Sequence, residues 1–285
     1  MNMDRQRFLL LLAGALLGPA AFGQPAPQAD PNAPNVFYGA VPPGGETAPV
    51  LVLIHGLGGT ASFFWTNGND MYSKAYTAGY RTAFISLSTD NTPNYNHTPA
   101  NAAVLSASLP YVLAAYGVPR IHFVCHSKGG IDTEYAMGAY PPVLRAATTV
   151  FTLSTPNQGD ALADWCFGGG MAVCKTLHQF NEGMADLRTT TVQAYRAALD
   201  PLFEKAGIPF YTLGGDVDTG SAGLQITGSI LKKLTGEAND GFVTPSESVL
   251  NSTFATGMGI VPFNHYQIGT GSVSFPFIQA HLPRP

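Results

Sequence analysis

Ile121-His122-Phe123-Val124-Cys125-His126-Ser127-Lys128-Gly129-Gly130 reads as an apolar strand, a one-residue turn and the start of a helix. The residues before Ser127 carry the branched and aromatic side chains of a buried strand, and Lys128–Ala139 has the apolar spacing of a helix. A turn this sharp holds its serine in strained backbone and lifts the hydroxyl above the strand ends. It also needs small residues two positions before and after the serine, so that strand and helix can approach. Gly129 meets that need on one side; on the other stands Cys125, where glycine is usual. The plainer alternative is a strand-to-helix turn whose serine only caps the helix.

Outward from this turn, short apolar runs alternate with longer segments of helical character. Pro49–His55, Tyr80–Leu87, Arg120–Cys125, Ala147–Leu153 and Ile208–Leu213 read as buried strands. Phe63–Ala78, Pro99–Tyr116, Lys128–Ala139 and Met184–Leu199 have the length and spacing of helices. Such alternation predicts an α/β fold, a mostly parallel sheet flanked by helices. Ala161–Gly183, with Gly168-Gly169-Gly170, departs from the pattern and is expected to be a small Gly-rich insertion over the sheet.

At the front of the chain, Arg5 and Arg7 precede the apolar run Phe8–Leu17 and the small-x-small site Ala21-Phe22-Gly23, so residues 1–23 read as a signal peptide. The run is too short for a membrane anchor, which takes about 20 apolar residues. Residues 24–48, rich in Pro, Ala, Asn and Gly, are expected to be an extended arm, with the catalytic domain spanning 49–285 and the mature protein secreted. Export permits disulfides, and Cys166 and Cys174 are the expected pair, with Cys125 buried and free. Charged residues make up 11% of the chain, against roughly 25% in an average domain. The net charge of −4 and the lack of a Lys/Arg cluster remove the footprint of nucleic-acid binding. No metal-ligand spacing and no cofactor motif are present.

His55-Gly56-Leu57-Gly58-Gly59 follows the first apolar run, the position from which one half of an oxyanion hole is supplied. The backbone N–H groups of Leu57 and Lys128 are the expected donors. The glycines do not form a phosphate loop, because no Lys-Ser/Thr follows them. A serine nucleophile needs a base, and the base needs an acid to orient it. His265 and His281 are the histidines after Ile208–Leu213; His265 sits in a loop, whereas His281 lies in the C-terminal tail. His126 should point away from Ser127, and His55 and His122 read as structural. For the acid, Asp240 in Asn239-Asp240-Gly241 competes with Asp216 and Asp218. An Asn-Asp-Gly is by itself more often a plain turn.

Taken together, these segments resemble the bacterial secreted lipases of the Pseudomonas, Burkholderia and Bacillus type, which have the α/β-hydrolase fold. The resemblance covers most of the mature domain. His55–Gly59 resembles the family's oxyanion segment, Cys125–Gly130 its elbow, and Ser154-Thr155-Pro156-Asn157-Gln158-Gly159-Asp160 the turn after the next strand. Asn239-Asp240-Gly241 looks like its catalytic-acid motif and Asn264-His265 like its catalytic-histidine motif. The resemblance therefore implies Ser127, Asp240 and His265 as catalytic residues of a carboxylic-ester hydrolase. Where several larger relatives place a calcium-binding aspartate, two residues after the histidine, this chain has Gln267; no metal is expected. The family's lid is helical and apolar, and its counterpart here is the Gly-rich Ala161–Gly183. Gly56, Trp165 and Phe167 are expected on the cleft wall.

An acylglycerol, a short ester or a polyester would suit such a centre, and a polyhydroxyalkanoate-type depolymerase is the alternative activity. A dedicated folding chaperone, used by some relatives, has no signal in the sequence. Ser127 rules out dehalogenase or epoxide-hydrolase chemistry, which would put an aspartate there. The reading from a different class is a hydrolase-fold binding protein without activity.

Overall fold

The computed structural model describes residues 24–176 and 180–285. The expected signal peptide lies outside the described residues. Among them, β1 (Gln28–Asp30), β2 (Ala33–Tyr38), β3 (Val50–Ile54), β4 (Arg81–Ile85), β5 (Ile121–His126), β6 (Ala147–Leu153), β7 (Phe210–Gly215) and β8 (Ala255–Val261) form one sheet. Its order is β1-β2-β4-β3-β5-β6-β7-β8. All neighbours from β4 to β8 run parallel, while β1 and β2 are antiparallel additions at one edge. Every residue of β3, β4 and β5 is buried, because helices cover both faces of a parallel sheet. Successive side chains of β3 divide between two cores. Val50, Val52 and Ile54 join Phe123, Phe210 and Leu105 on one face. Leu51 and Leu53 join Phe84, Phe151 and Phe275 on the other.

Three expectations change. Residues 24–48 are not an arm ahead of the domain: they carry β1 and β2, and Val36–Tyr38 pairs with Ala83–Ile85, so the sheet begins well before Pro49. Phe63–Ala78 is not one helix but a 3-10 turn, Ala61–Phe64, and a helix, Met71–Thr77. Between them Asn67 (φ 53°) and Gly68 (φ 81°) adopt left-handed backbone that a right-handed helix cannot include. Met184–Leu199 likewise divides into Glu182–Ala185 and Thr189–Ala206.

The segment after β6 is less irregular than its glycines suggest. Asp160 caps a helix over Ala161–Cys166 by accepting from the Leu162 and Ala163 N–H groups, and a second helix covers Met171–Thr176. The Cys166–Cys174 disulfide joins them. Cys125 is free and buried. The bridge, with Leu162, Met184, Leu187 and Ile131, forms a third apolar cluster beside the sheet. Closing a loop with a sequence separation of 8 should stabilise by about 2–3 kcal/mol. A Cys166→Ser/Cys174→Ser variant is therefore expected to unfold at lower denaturant by that margin, with an unchanged midpoint speaking against it. Among the described residues, no helix is long and apolar enough to cross a membrane.

Candidate active site

The turn after β5 is sharp. Ser127 has φ 54° and ψ −135°, a conformation non-glycine residues adopt only under constraint. Its N–H donates to Leu153 O (2.9 Å), and its carbonyl accepts from Thr155 Oγ1 (2.8 Å) and the Gly130 N–H (3.0 Å). Close approach explains the glycines. A Cβ at Gly129 would lie 2.3 Å from His55 O, and one at Gly56 2.6 Å from the Ser127 Cβ. Cys125 is tolerated two residues before the serine because its Sγ, 3.4 Å from Thr133 Oγ1, is absorbed in the core. Burial pushes this thiol up to about 12, which leaves it inert near neutrality.

His265 Nε2 lies 2.9 Å from Ser127 Oγ, and its Nδ1 lies 2.9 Å from Asp240 Oδ2. Neither Asp216 nor Asp218 hydrogen-bonds to His265. The loop after the helix Ala222–Thr235 shapes the acid: Asn239 Oδ1 accepts the Gly241 N–H, and Asp240 Oδ1 accepts those of Phe242 (2.9 Å) and Val243 (2.8 Å). Burial alone would raise the Asp240 carboxyl, but the adjacent imidazole and the two N–H donors hold it below the usual range. The His265 N–H donates to Asp240 O, tying the two residues through the backbone as well. Asn264 then caps the short helix His265–Ile268, and Gln267 Oε1 returns a bond to the Asn264 N–H. That capping box gives Gln267 a structural task.

Among the described residues, no acceptor pairs with the backbone N–H of Leu57 or of Lys128. The Leu57 loop is held by Gly58 N–H to Asn94 O (2.7 Å) and Asn94 N–H to Gly59 O (3.2 Å). His55 sits beneath it. Its Nε2 accepts the Leu87 N–H (3.0 Å), so its proton is on Nδ1, which donates to Gly56 O (2.8 Å). Burial lowers His55 to about 4, and it stays neutral. His126 does not simply point away from the site, as expected for a residue beside an elbow serine. Its Nε2 donates to His265 O (2.8 Å), its ring stacks on Phe63, and burial lowers it to about 3. His281 stacks on Tyr211 and does not line the cavity over Ser127.

Lys128 and Asp132 form a fully buried ion pair, Nζ to Oδ1 2.5 Å. Thr98 Oγ1 donates to Asp132 Oδ1 (2.7 Å), and Asn101 Nδ2 donates to Oδ2 (2.8 Å). The pair thus anchors the start of the helix Thr98–Tyr116 to the helix that begins at the serine.

A cavity of about 290 Å³ opens over Ser127. Gly56 lines it, as expected of the cleft wall, and so does Leu57, but Trp165 and Phe167 do not. The disulfide folds their segment away: Trp165 packs over Gly170, and Phe167 stacks on Phe180 at 4.6 Å. The wall is instead built by Phe63, Tyr95, Met184, Leu187, Phe242 and Tyr266, together with Asp160. Phe242 and Tyr266 adjoin the acid and the base in sequence, a signal that could have found them; Tyr95, on a distant loop, offered none.

No family model matches the sequence. It is 27% identical over 237 residues to a triacylglycerol lipase of Pseudarthrobacter phenanthrenivorans, covering 72% of this chain and 68% of the relative. A triacylglycerol lipase of Burkholderia plantarii is also 27% identical, over 72% of this chain and 61% of its own length, so the chain spans less than two thirds of that relative. Among solved structures, the mature form of Bacillus licheniformis lipase BlEst2 superposes with a TM-score of 0.71 at 29% identity, over 90% of this chain and 95% of that one.

Proposed function

We propose that the chain is a carboxylic-ester hydrolase of the α/β-hydrolase fold, of the lipase and esterase kind, working through a covalent acyl-enzyme on Ser127. The observation that carries this reading is the line of contacts from Asp240 through His265 to Ser127, each 2.9 Å, beneath an apolar cavity. His265 Nε2 takes the hydroxyl proton as Ser127 Oγ attacks the ester carbonyl. Asp240 keeps the proton of the neutral ring on Nδ1 and stabilises the imidazolium that forms. The Leu57 and Lys128 N–H groups receive the oxyanion. His265 then protonates the departing alcohol, and water, activated by the same ring, releases the acid.

The cavity volume lies at the lower end of the roughly 300–1,000 Å³ of ligand pockets, which favours short acyl chains over long ones. With the insertion pinned by a disulfide, activity on dissolved short esters should need no oil-water interface, and turnover should not jump when substrate exceeds its solubility. The domain that does this work comprises residues 24–285, sheet edge included. Export is the matching location, since a Cys166–Cys174 bridge requires an oxidising compartment and residues 1–23 read as a signal peptide. N-terminal sequencing of the mature protein should begin near Gln24.

A fluorophosphonate probe tests the centre itself. The wild-type chain should become labelled at Ser127, and a p-nitrophenyl ester series should show turnover falling as the acyl chain lengthens. A folded protein that resists the probe would instead be the inert binding module.

A further inference from the structure

Besides Ser127, His126, His265 and the tyrosines Tyr95 and Tyr266, the wall of the cavity carries one carboxyl, that of Asp160. This side chain is 2% exposed. Its Oδ1 already accepts the Leu162 and Ala163 N–H groups (2.7 and 3.2 Å), which accounts for its role as a helix cap. A serine or asparagine would cap as well. Among the described residues, Oδ2 has no hydrogen-bond donor. Behind Asp160 lies Glu247, whose oxygens are both taken: Oε1 accepts the Ala161 N–H (2.8 Å) and Oε2 the Thr244 N–H (2.8 Å). Among the described residues no hydrogen bond joins Glu247 to Asp160, and burial raises the Glu247 carboxyl as well. Burial, then the neighbouring Glu247 carboxyl, raises the Asp160 carboxyl well above the usual range, so the neutral acid is favoured until a donor at Oδ2 stabilises the charged form. What the site lacks is a hydrogen-bond donor, and the space in front of it is where substrate must lie.

We propose that Asp160 determines specificity by accepting, through Oδ2, a hydrogen bond from a free hydroxyl on the ester bound over Ser127. The inference rests on the ester-hydrolase reading above and narrows its substrate class to hydroxyl-bearing esters. A hydroxyl fits better than an ammonium, because Leu57, Met184, Leu187 and Phe242 would strip the water from a cation that one carboxyl cannot replace. The hydroxyl can come from the acyl chain, as in a 3-hydroxyacyl ester, or from the alcohol, as in a partial ester of glycerol. A site that holds a buried acceptor for a substrate hydroxyl rejects the analogue without it, since the acceptor is then left unpaired.

Matched pairs separate the two sources: ethyl 3-hydroxybutanoate against ethyl butanoate for the acyl side, and glycerol monobutyrate against propyl butanoate for the alcohol side. The mature wild-type chain should prefer the hydroxylated member of one pair by about tenfold or more in kcat/KM. In Asp160→Ser the cap is kept and nothing reaches the Oδ2 position, so the ratio should fall to about one. In Asp160→Asn the amide oxygen keeps the cap and an NH2 replaces the acceptor, so the ratio should fall here too, with shape preserved. Equal kcat/KM within both pairs for the wild type would overturn the proposal, as would a wild-type ratio that survives in either variant. Faster turnover of ethyl 3-aminobutanoate than of ethyl 3-hydroxybutanoate would overturn the choice of a hydroxyl. Labelling by the fluorophosphonate probe, run beside these assays, keeps the two readings apart. A labelled enzyme without the preference loses only this inference, whereas an unlabelled one loses the ester-hydrolase reading beneath it.

Discussion

Replacing Ser127 or His265 with alanine is expected to lower ester turnover by about four to six orders of magnitude while the cooperative unfolding transition persists. Removing either leaves the oxyanion donors and the cavity but no activated nucleophile. Asp240→Asn should cost on the order of 10³- to 10⁴-fold, for a reason the loop geometry supplies. The amide oxygen must stay where Asp240 Oδ1 accepts the Phe242 and Val243 N–H groups. Its NH2 then faces His265 Nδ1 and drives the ring proton to Nε2, where it blocks acceptance from Ser127. Asp216→Asn and Asp218→Asn should change turnover by no more than about threefold, because neither carboxyl reaches the ring. Steady-state kinetics on a p-nitrophenyl ester decide it: an inactive Asp216→Asn or Asp218→Asn beside an active Asp240→Asn would move the acid elsewhere.

The second large effect is on stability. Asp132→Ala should lower the unfolding free energy by about 3–5 kcal/mol, because it leaves the Lys128 ammonium buried without a counter-charge. Both side chains are almost wholly covered, at 1% and 2% exposed, so water cannot take the place of the carboxylate. Two groups would also lose their acceptor, Thr98 Oγ1 and Asn101 Nδ2. Removing both charges at once, Lys128→Met with Asp132→Leu, should recover the part of the loss that comes from the unpaired ammonium, while Thr98 Oγ1 and Asn101 Nδ2 still lack their acceptor. Guanidinium denaturation of the three proteins reads this directly; a single variant as stable as the wild type would mean that the ammonium finds another partner or reaches water.

The sequence displayed the parallel half of the sheet because β3 to β7 are buried on both faces and must be apolar along most of their length. It hid the margins for the same physical reason. β8, Ala255-Thr256-Gly257-Met258-Gly259-Ile260-Val261, is a partly exposed edge strand with two glycines, so neither a continuous run nor an alternation marks it. β2 pairs antiparallel through a segment whose Pro and Asn resemble a linker. Ser127 and the glycines after His55 were legible because they sit in backbone that few residues can occupy or where no Cβ fits, and His265 because it stands in a loop after the last apolar run. Asp240 was not separable from Asp216 and Asp218 by spacing alone and needed the family resemblance, since what distinguishes it is a contact across the fold. Trp165 and Phe167 were misplaced on the cleft because apolar side chains near a site in sequence serve a core as readily as a wall.

The strand order also bears on when this chain becomes chemically competent. Beyond β3 the sheet grows in one direction, β5, β6, β7 and then β8, each strand docking on one already synthesised. A polypeptide arriving from its N-terminus can therefore assemble the scaffold and set Ser127 in its strained turn before the base exists in space. His265 comes after the last strand, and its place is fixed by Asp240 and His126, both earlier in the chain. On the proposed mechanism, Ser127 therefore has no base to activate it until the segment that carries His265 has been made.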